Sequence, residues 1–133
     1  VERGMALAKE KGAKRALPLP VSVPSHCALM KPAAEQLAEY LNEVQISTPK
    51  APVIHNADVT SYLESDKIKD ALVRQLYSPV RWVETIQMLH GEGVSNAAES
   101  GPGKVLAGLT KRIVKELPCA ALVSSDAITA LNT

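Results

Sequence analysis

Helical and extended stretches alternate along the chain in the spacing of its hydrophobic and polar residues. Apolar residues recur every three or four positions in several segments, which predicts amphipathic helices. The clearest of these helices covers about residues 31–44, where Pro32 suits the first turn. Asp66 and Ser78 are predicted to cap two further helices at their N-termini, and Gly12 is predicted to end an N-terminal helix.

Four apolar runs bounded by proline, glycine or polar residues predict strands. In the first run, Pro18 and Pro20 suit an edge strand, where a missing N–H donor is harmless. Strands that alternate with helices of this length are typical of an α/β fold with a largely parallel sheet. The predicted strands are residues 16–23, 53–59, 94–98 and 119–123.

The start of the chain and the small number of strands suggest part of a larger fold. The chain opens at Val1, Glu2 and Arg3 with no capping residue before its first helical pattern. We therefore expect it to begin inside a helix of a longer protein, with a flexible or trimmed terminus as the alternative. Four strands are also few for a complete α/β domain.

Composition excludes several function classes. The 133 residues suit one domain or a piece of one, and 46% are hydrophobic, which disfavours disorder. The formal charge of +1 provides no strong field for nucleic acid or an anionic membrane. Three Tyr, one Trp and no Phe are a poor supply for stacking bases. We expect neither nucleic acid nor membrane as a partner.

Cysteine content and hydropathy favour the cytoplasm. Two cysteines, Cys27 and Cys119, do not form a disulfide framework. The longest uncharged run, residues 16–30, is interrupted by prolines and is too short to span a bilayer. No basic-then-apolar leader is apparent, so no export signal is predicted.

Histidine provides the strongest candidate chemistry. His26 lies on a loop between a predicted strand and a predicted helix, where α/β folds place reactive groups. An imidazole can remove and return a proton near neutral pH, so His26 is a candidate catalytic base. His55, inside a predicted strand, is expected to be a satisfied core or edge residue. His90 is explained by the negative end of a helix dipole.

The remaining motifs favour structural roles. No ligand spacing beside His26 and Cys27 suits zinc, so no metal is expected; Cys27 as a nucleophile is a minor alternative. Residues 101–104 lack the spacing of a nucleotide P-loop, and a glycine turn that lets helix and strand pack closely explains them better. Ser95 precedes its predicted strand and so does not fit a nucleophile elbow.

Three segments together resemble one enzyme family. Residues 17–34, LPLPVSVPSHCALMKPAA, closely resemble the histidine segment of bacterial malonyl-CoA:acyl carrier protein transacylases. Residues 74–82, RQLYSPVRW, and residues 99–106, ESGPGKVL, resemble two later motifs of that family in the same order. The resemblance runs over essentially the whole chain but covers only about the C-terminal two-fifths of such an enzyme.

The resemblance implies a divided α/β fold. The family has an α/β-hydrolase-like large subdomain into which a ferredoxin-like small subdomain is inserted. Residues 1–29 would be the last helix and strand of the small subdomain. Residues 30–133 would be the C-terminal part of the large subdomain.

The resemblance also implies an acyl exchange. An elbow serine, which lies outside this chain, takes malonyl from coenzyme A and passes it to the phosphopantetheine thiol of acyl carrier protein. His26 matches the family's catalytic base, and Gln75 matches the residue whose backbone carbonyl orients that imidazole. The arginine that binds the malonyl carboxylate belongs to the missing N-terminal portion. No cofactor is implied.

Two other functions stay open on the sequence. The first is a truncated, non-catalytic module that binds acyl carrier protein, and the second is a hydrolase that uses Ser95 or Cys27. Departures from the family pattern are mild, with Ser78 where Asn is frequent and Ser100 where an apolar residue is commoner. Ser25, before the histidine, decides little about acyl selectivity.

Overall fold

The computed structural model describes residues 1–131 and has a mixed α/β architecture. Helices predominate, and a short 3₁₀ turn, Ala28–Met30, leads into the second of them. The elements in chain order are α1 Glu2–Glu10, α2 Lys31–Asn42, β1 Ile54–His55, β2 Thr60–Ser61, α3 Ser65–Gln75, α4 Trp82–Gly91, β3 Ala97–Glu99, α5 Val105–Ile113, β4 Cys119–Ala121 and α6 Ser125–Ala130.

The strands form two small sheets, and only one of them is parallel. β3 and β4 pair in parallel, with Ala97 opposite Cys119. β1 and β2 pair antiparallel, with His55 opposite Thr60. The prediction of one largely parallel sheet was therefore wrong. The predicted strand over residues 53–59 instead ends at His55, because the chain turns back tightly through Val59 at φ 57°.

Residues 16–23 do not form the predicted edge strand. The segment has no regular secondary structure and pairs with no strand among residues 1–131. Its prolines remove two of the donors that a ladder would need. Leu17, Leu19 and Val21 are each at least two-thirds exposed, so the segment presents apolar side chains without a covering layer.

The principal core lies between α4, α5 and the parallel strands. Leu117 is fully buried there and packs with Ile86 and Val114. α5 ends at Ile113 and the backbone at Val114 is extended, so Leu117 lies on the segment between α5 and β4. A second layer is formed by α2 against α3, where Ala34 and the α3 residues Ile68 and Ala71 are buried.

Two predicted helix starts were wrong, and the predicted end of the N-terminal helix at Gly12 was confirmed. α3 begins at Ser65, so Asp66 lies inside its first turn and does not cap it. α4 begins at Trp82, four residues after Ser78, because the N–H of Arg81 donates to the carbonyl of Asn56 at 2.9 Å. Beyond the ends of α1 and α4, Gly12 and Gly93 adopt φ values of 93° and 89°, which glycine adopts without strain.

None of the helices within residues 1–131 combines the length and the apolar character needed to cross a bilayer. Cys27 and Cys119 are both free thiols.

Candidate active site

The backbone of His26 adopts a left-handed conformation that few non-glycine residues adopt. Its φ is 61°, on the loop between the segment 16–23 and the turn Ala28–Met30. A conformation of this kind costs about 1–3 kcal/mol and persists only where the surroundings enforce it. The main-chain N–H of His26 donates to the carbonyl of Leu76 at 2.9 Å, and this bond ties the loop to the end of α3.

The imidazole of His26 is held by a second carbonyl of the same helix end. Its Nδ1 lies 2.9 Å from the backbone oxygen of Gln75. A carbonyl oxygen can only accept a hydrogen bond, so Nδ1 must carry the proton. In the neutral ring, Nε2 then keeps its lone pair. The residue is exposed, so that lone pair is open to an incoming hydroxyl.

Both carbonyls are available because α3 ends at this point. The last carbonyls of a helix have no partner inside it. The N–H groups of Leu76 and Tyr77 turn back to Val73 and Arg74, which leaves the oxygens of Gln75 and Leu76 for His26. The negative end of the helix dipole therefore faces the imidazole.

A third contact joins the histidine loop to the same region. The Nζ of Lys31, the first residue of α2, lies 5.9 Å from the centre of the Tyr77 ring. At that distance an ammonium is attracted to the face of the ring. The loop is thus attached to residues 75–77 through His26 itself and through Lys31, which follows the loop.

The end of α3 is itself anchored to the β1–β2 turn by an ion pair. The guanidinium of Arg74 donates from Nη1 and Nη2 to the two carboxylate oxygens of Asp58 at 2.5 and 2.7 Å. Its Nε donates to Asp70 at 2.6 Å. The hydrogen bond from Arg74 lowers the pKa of Asp58, against the opposing effect of burial, and Tyr62 lowers it further through its own hydrogen bond. The Asp58 carboxylate raises the pKa of Arg74.

The other two histidines lie outside this arrangement. His55 is buried beside the Tyr62 ring, at 5.6 Å between ring centres, and its Nε2 has no hydrogen-bond partner in the described part of the chain. His55 was expected to be a satisfied core or edge residue, and the expectation that its ring is satisfied was wrong. His90 lies in the last turn of α4, where it was expected.

The two alternative nucleophiles, Cys27 and Ser95, form hydrogen bonds with residues other than His26. The thiol of Cys27 donates to the carbonyl of Pro24 at 3.1 Å. Ser95 lies two residues before β3 and accepts a hydrogen bond from its neighbour Asn96. No hydrogen bond connects either side chain to the His26 ring within residues 1–131.

The glycine turn before α5 has a different role from the one predicted. A Cβ atom placed on Gly101 or Gly103 would meet nothing within 4 Å, so close packing does not explain these glycines. The N-terminus of α5 is instead capped by the carboxylate of Glu99, which accepts from the N–H of Ala107 at 2.8 Å. The turn brings the end of β3 to the start of that helix.

No group of three His, Cys, Asp or Glu side chains that could hold a metal ion occurs in residues 1–131.

Three features of this region were missed by the sequence analysis. They are the hydrogen bond from the His26 N–H to the Leu76 carbonyl, the Arg74–Asp58 ion pair, and the cap that Glu99 provides for α5. Arg74 and Glu99 were within the recognised motifs, but nothing in their spacing indicates a partner elsewhere in the chain. Asp58 had no signal of its own.

Comparisons with known proteins identify relatives of the chain over most of its length. No family model matches. A Haemophilus influenzae protein, malonyl CoA-acyl carrier protein transacylase, is 65% identical over 117 residues, which are 88% of this chain and 38% of the relative. The Escherichia coli K12 protein of the same name is 55% identical over 98% of this chain and 42% of its own length.

Solved structures agree with these relatives. An acyl carrier protein S-malonyltransferase from Vibrio cholerae matches with a TM-score of 0.89 at 58% identity, over 98% of this chain and 42% of that one. A malonyl-transacylase solved in complex with a type II polyketide acyl carrier protein matches with a TM-score of 0.91 at 53% identity, over 98% of this chain and 43% of that one. The chain spans about two-fifths of the length of the relatives it matches. It is a homologue of the C-terminal portion of the malonyl CoA-acyl carrier protein transacylases.

Proposed function

We propose that the protein containing this chain transfers malonyl from coenzyme A to the phosphopantetheine thiol of acyl carrier protein, for fatty acid synthesis. The observation that carries the proposal is the hydrogen bond from His26 Nδ1 to the carbonyl of Gln75, at 2.9 Å. It leaves Nε2 as the proton acceptor of the neutral ring, which is what a general base for a hydroxyl nucleophile requires.

The proposed reaction runs in two matched halves. Nε2 of His26 removes the proton of a serine hydroxyl that lies outside this chain, and the oxygen attacks the malonyl thioester carbonyl. The tetrahedral intermediate expels the coenzyme A thiolate, which takes the proton from the imidazolium and leaves a malonyl ester on serine. In the second half, Nε2 removes the proton of the phosphopantetheine thiol. The thiolate attacks the ester, and the serine oxygen leaves with that proton.

A backbone carbonyl is a weaker partner for the imidazolium than a carboxylate would be. It fixes the tautomer but carries no net charge. The C-terminal end of α3 supplies part of the missing negative potential, because Gln75 and Leu76 present their oxygens together.

The proposed subdomain division is supported by burial. No residue of α1 is buried, and the apolar segment after it is exposed, as expected if a further layer covers both. Residues 1–29 are accordingly proposed as the end of a ferredoxin-like small subdomain. Residues 30–133 are proposed as part of an α/β-hydrolase-like large subdomain, with residues 132 and 133 outside the described range.

The proposed partners follow from the exchange. They are acyl carrier protein, a coenzyme A thioester and the N-terminal portion of the same enzyme, and the structural relative in complex with an acyl carrier protein supports the first. The exchange needs no redox or carbanion chemistry, so no cofactor is proposed. The cytoplasm is proposed as the location, supported by the two free thiols.

A non-catalytic module that binds acyl carrier protein is the second candidate. It is favoured by one observation: no serine hydroxyl hydrogen-bonds the His26 ring within residues 1–131. The intact mass of the native gene product distinguishes the two. A product much heavier than 14.2 kDa supports the enzyme, and a product of that mass supports the module.

The test of the enzyme is the rate of serine acylation in the full-length protein. With malonyl-CoA in a single turnover followed by intact mass, His26→Ala is expected to slow acylation by about 10²–10⁴-fold, the scale of a lost general base. His90→Ala is the matched control, because His90 is exposed at the far end of α4. An unchanged rate in His26→Ala would remove His26 from the mechanism.

A further inference from the structure

The position of His26 depends on how well the C-terminal end of α3 is fixed in the fold. Both oxygens that bind His26 come from Gln75 and Leu76, on the backbone directly after Arg74. A displacement of these two oxygens therefore moves the imidazole with them. A misplacement of about 1 Å in a reacting group can cost about 10²-fold in rate. The anchor of this helix end therefore matters for a base that depends on a backbone oxygen.

Arg74 anchors this end of α3 through three hydrogen bonds. Its guanidinium makes a bidentate contact with Asp58 and a third bond to Asp70. The side chains of Arg74 and Asp58 are 31% and 16% exposed, so this pair is more shielded from water than a surface pair. For comparison, Lys67 and Glu64 at the opposite end of α3 are 59% and 60% exposed.

Asp58 is in turn fixed on the hairpin side. It accepts a hydrogen bond from the hydroxyl of Tyr62 at 3.1 Å. Its turn is closed by the N–H of Val59, which donates to the carbonyl of His55 at 2.9 Å. The same turn is bound to the start of α4, because the N–H of Arg81 donates to the carbonyl of Asn56 at 2.9 Å. Asp58 is thus a fixed point to which Arg74 can hold α3.

We infer that the Arg74–Asp58 ion pair is a positioning element for the proposed base, acting through the backbone carbonyl of Gln75. The inference rests on the proposed function of His26. Neither side chain touches the imidazole. The pair fixes the last turn of α3 against the β1–β2 turn, which keeps the Gln75 oxygen on Nδ1 and the Nε2 lone pair free. Without the ion pair, the last turn of α3 is free to fray. The His26 ring then also populates the tautomer that carries its proton on Nε2.

The test compares matched carboxylate-to-amide variants in the full-length protein. Asp58→Asn removes the fixed partner, and Glu64→Gln removes the exposed pair on the same helix. Asp58→Asn is expected to lower the rate constant of acylation at saturating malonyl-CoA by about 10–100-fold, with the KM within about twofold. Glu64→Gln is expected to change neither. Equal rates in the two variants would overturn the inference.

A spectroscopic readout separates positioning from general stability. With ¹⁵N-labelled histidine above the titration range of imidazole, the ring shifts of His26 report which nitrogen carries the proton. Asp58→Asn is expected to give a mixture of tautomers where the unaltered protein gives one. Ring shifts equal to those of the unaltered protein would contradict the inference.

Arg74→Lys keeps the experiment decisive if Asp58→Asn does not fold. Lysine preserves the charge but cannot form the bidentate contact, so the same mixture of tautomers is expected. A single tautomer in folded Arg74→Lys would overturn the inference. The ring shifts are read without reference to turnover. Failure of the inference is therefore distinguishable from failure of the proposed function, which is decided by His26→Ala.

Discussion

The cap on α5 gives a stability prediction whose size follows from the geometry. Glu99 is the last residue of β3, and its Oε2 accepts from the N–H of Ala107, the third residue of α5, at 2.8 Å. A hydrogen bond to a charged group contributes about 1.5–3 kcal/mol. A carboxylate at a helix N-terminus gains a further 0.3–1 kcal/mol or so from the dipole.

Two substitutions of Glu99 separate the effect of its charge from the effect of its hydrogen bond. Glu99→Gln keeps an acceptor but loses the charge, so the free energy of unfolding is expected to fall by about 1–2 kcal/mol. Glu99→Ala also leaves the half-buried Ala107 N–H unpaired, so the loss is expected to reach about 2–3 kcal/mol.

The assay is equilibrium urea unfolding of the full-length protein, followed by circular dichroism. Glu116→Gln is the matched control, because Glu116 is exposed and caps no helix in the described part of the chain. The cap account would be refuted by a Glu99→Gln variant as stable as Glu116→Gln, or by Glu99→Ala and Glu99→Gln losing the same free energy.

Two other predictions concern the core and the ion pair. Leu117 is fully buried, so Leu117→Ala is expected to lower the free energy of unfolding by about 2–5 kcal/mol in the same assay, and a loss below about 1 kcal/mol would contradict its place in the core. Asp58 has a pKa below its ordinary value of 3.8 in the folded state, mainly because of Arg74. Its contribution to stability is therefore complete above that ordinary value and is lost as the pH falls through the lower folded pKa. Unfolding free energies from pH 7 to pH 2 are expected to fall less steeply at the acid end in Asp58→Asn than in the unaltered protein, and equal slopes would refute the ion pair as the cause.

Local patterns predicted the elements whose ends are decided locally. α2 follows from the apolar spacing around Ala34 and from Pro32 in its first turn. α4 ends where Gly93 can adopt a positive φ at no steric cost. Ser78 followed by Pro79 is an equally good local start signal, yet α4 begins later. The reason is tertiary, since a hydrogen bond to Asn56 holds the chain before the helix.

At the candidate site, too, local features were predictable from the sequence and contacts between distant residues were not. The loop position of His26 was readable from the elements on either side of it, but its contact with Gln75 joins residues 49 positions apart. That contact was expected only from the family resemblance. The Arg74–Asp58 pair spans 16 positions and was not expected at all. Hydrogen bonds between distant residues leave no periodicity in one sequence, so the partners became visible only in the fold.

The central claim concerns one proton on one ring. If His26 is the base, its neutral imidazole carries the proton on Nδ1 against the Gln75 oxygen and a bare lone pair on Nε2. Ring ¹⁵N shifts of His26 in the unaltered full-length protein measure this directly. The account predicts a protonated Nδ1 with an unprotonated Nε2, and a ring that carries its proton on Nε2 would contradict it.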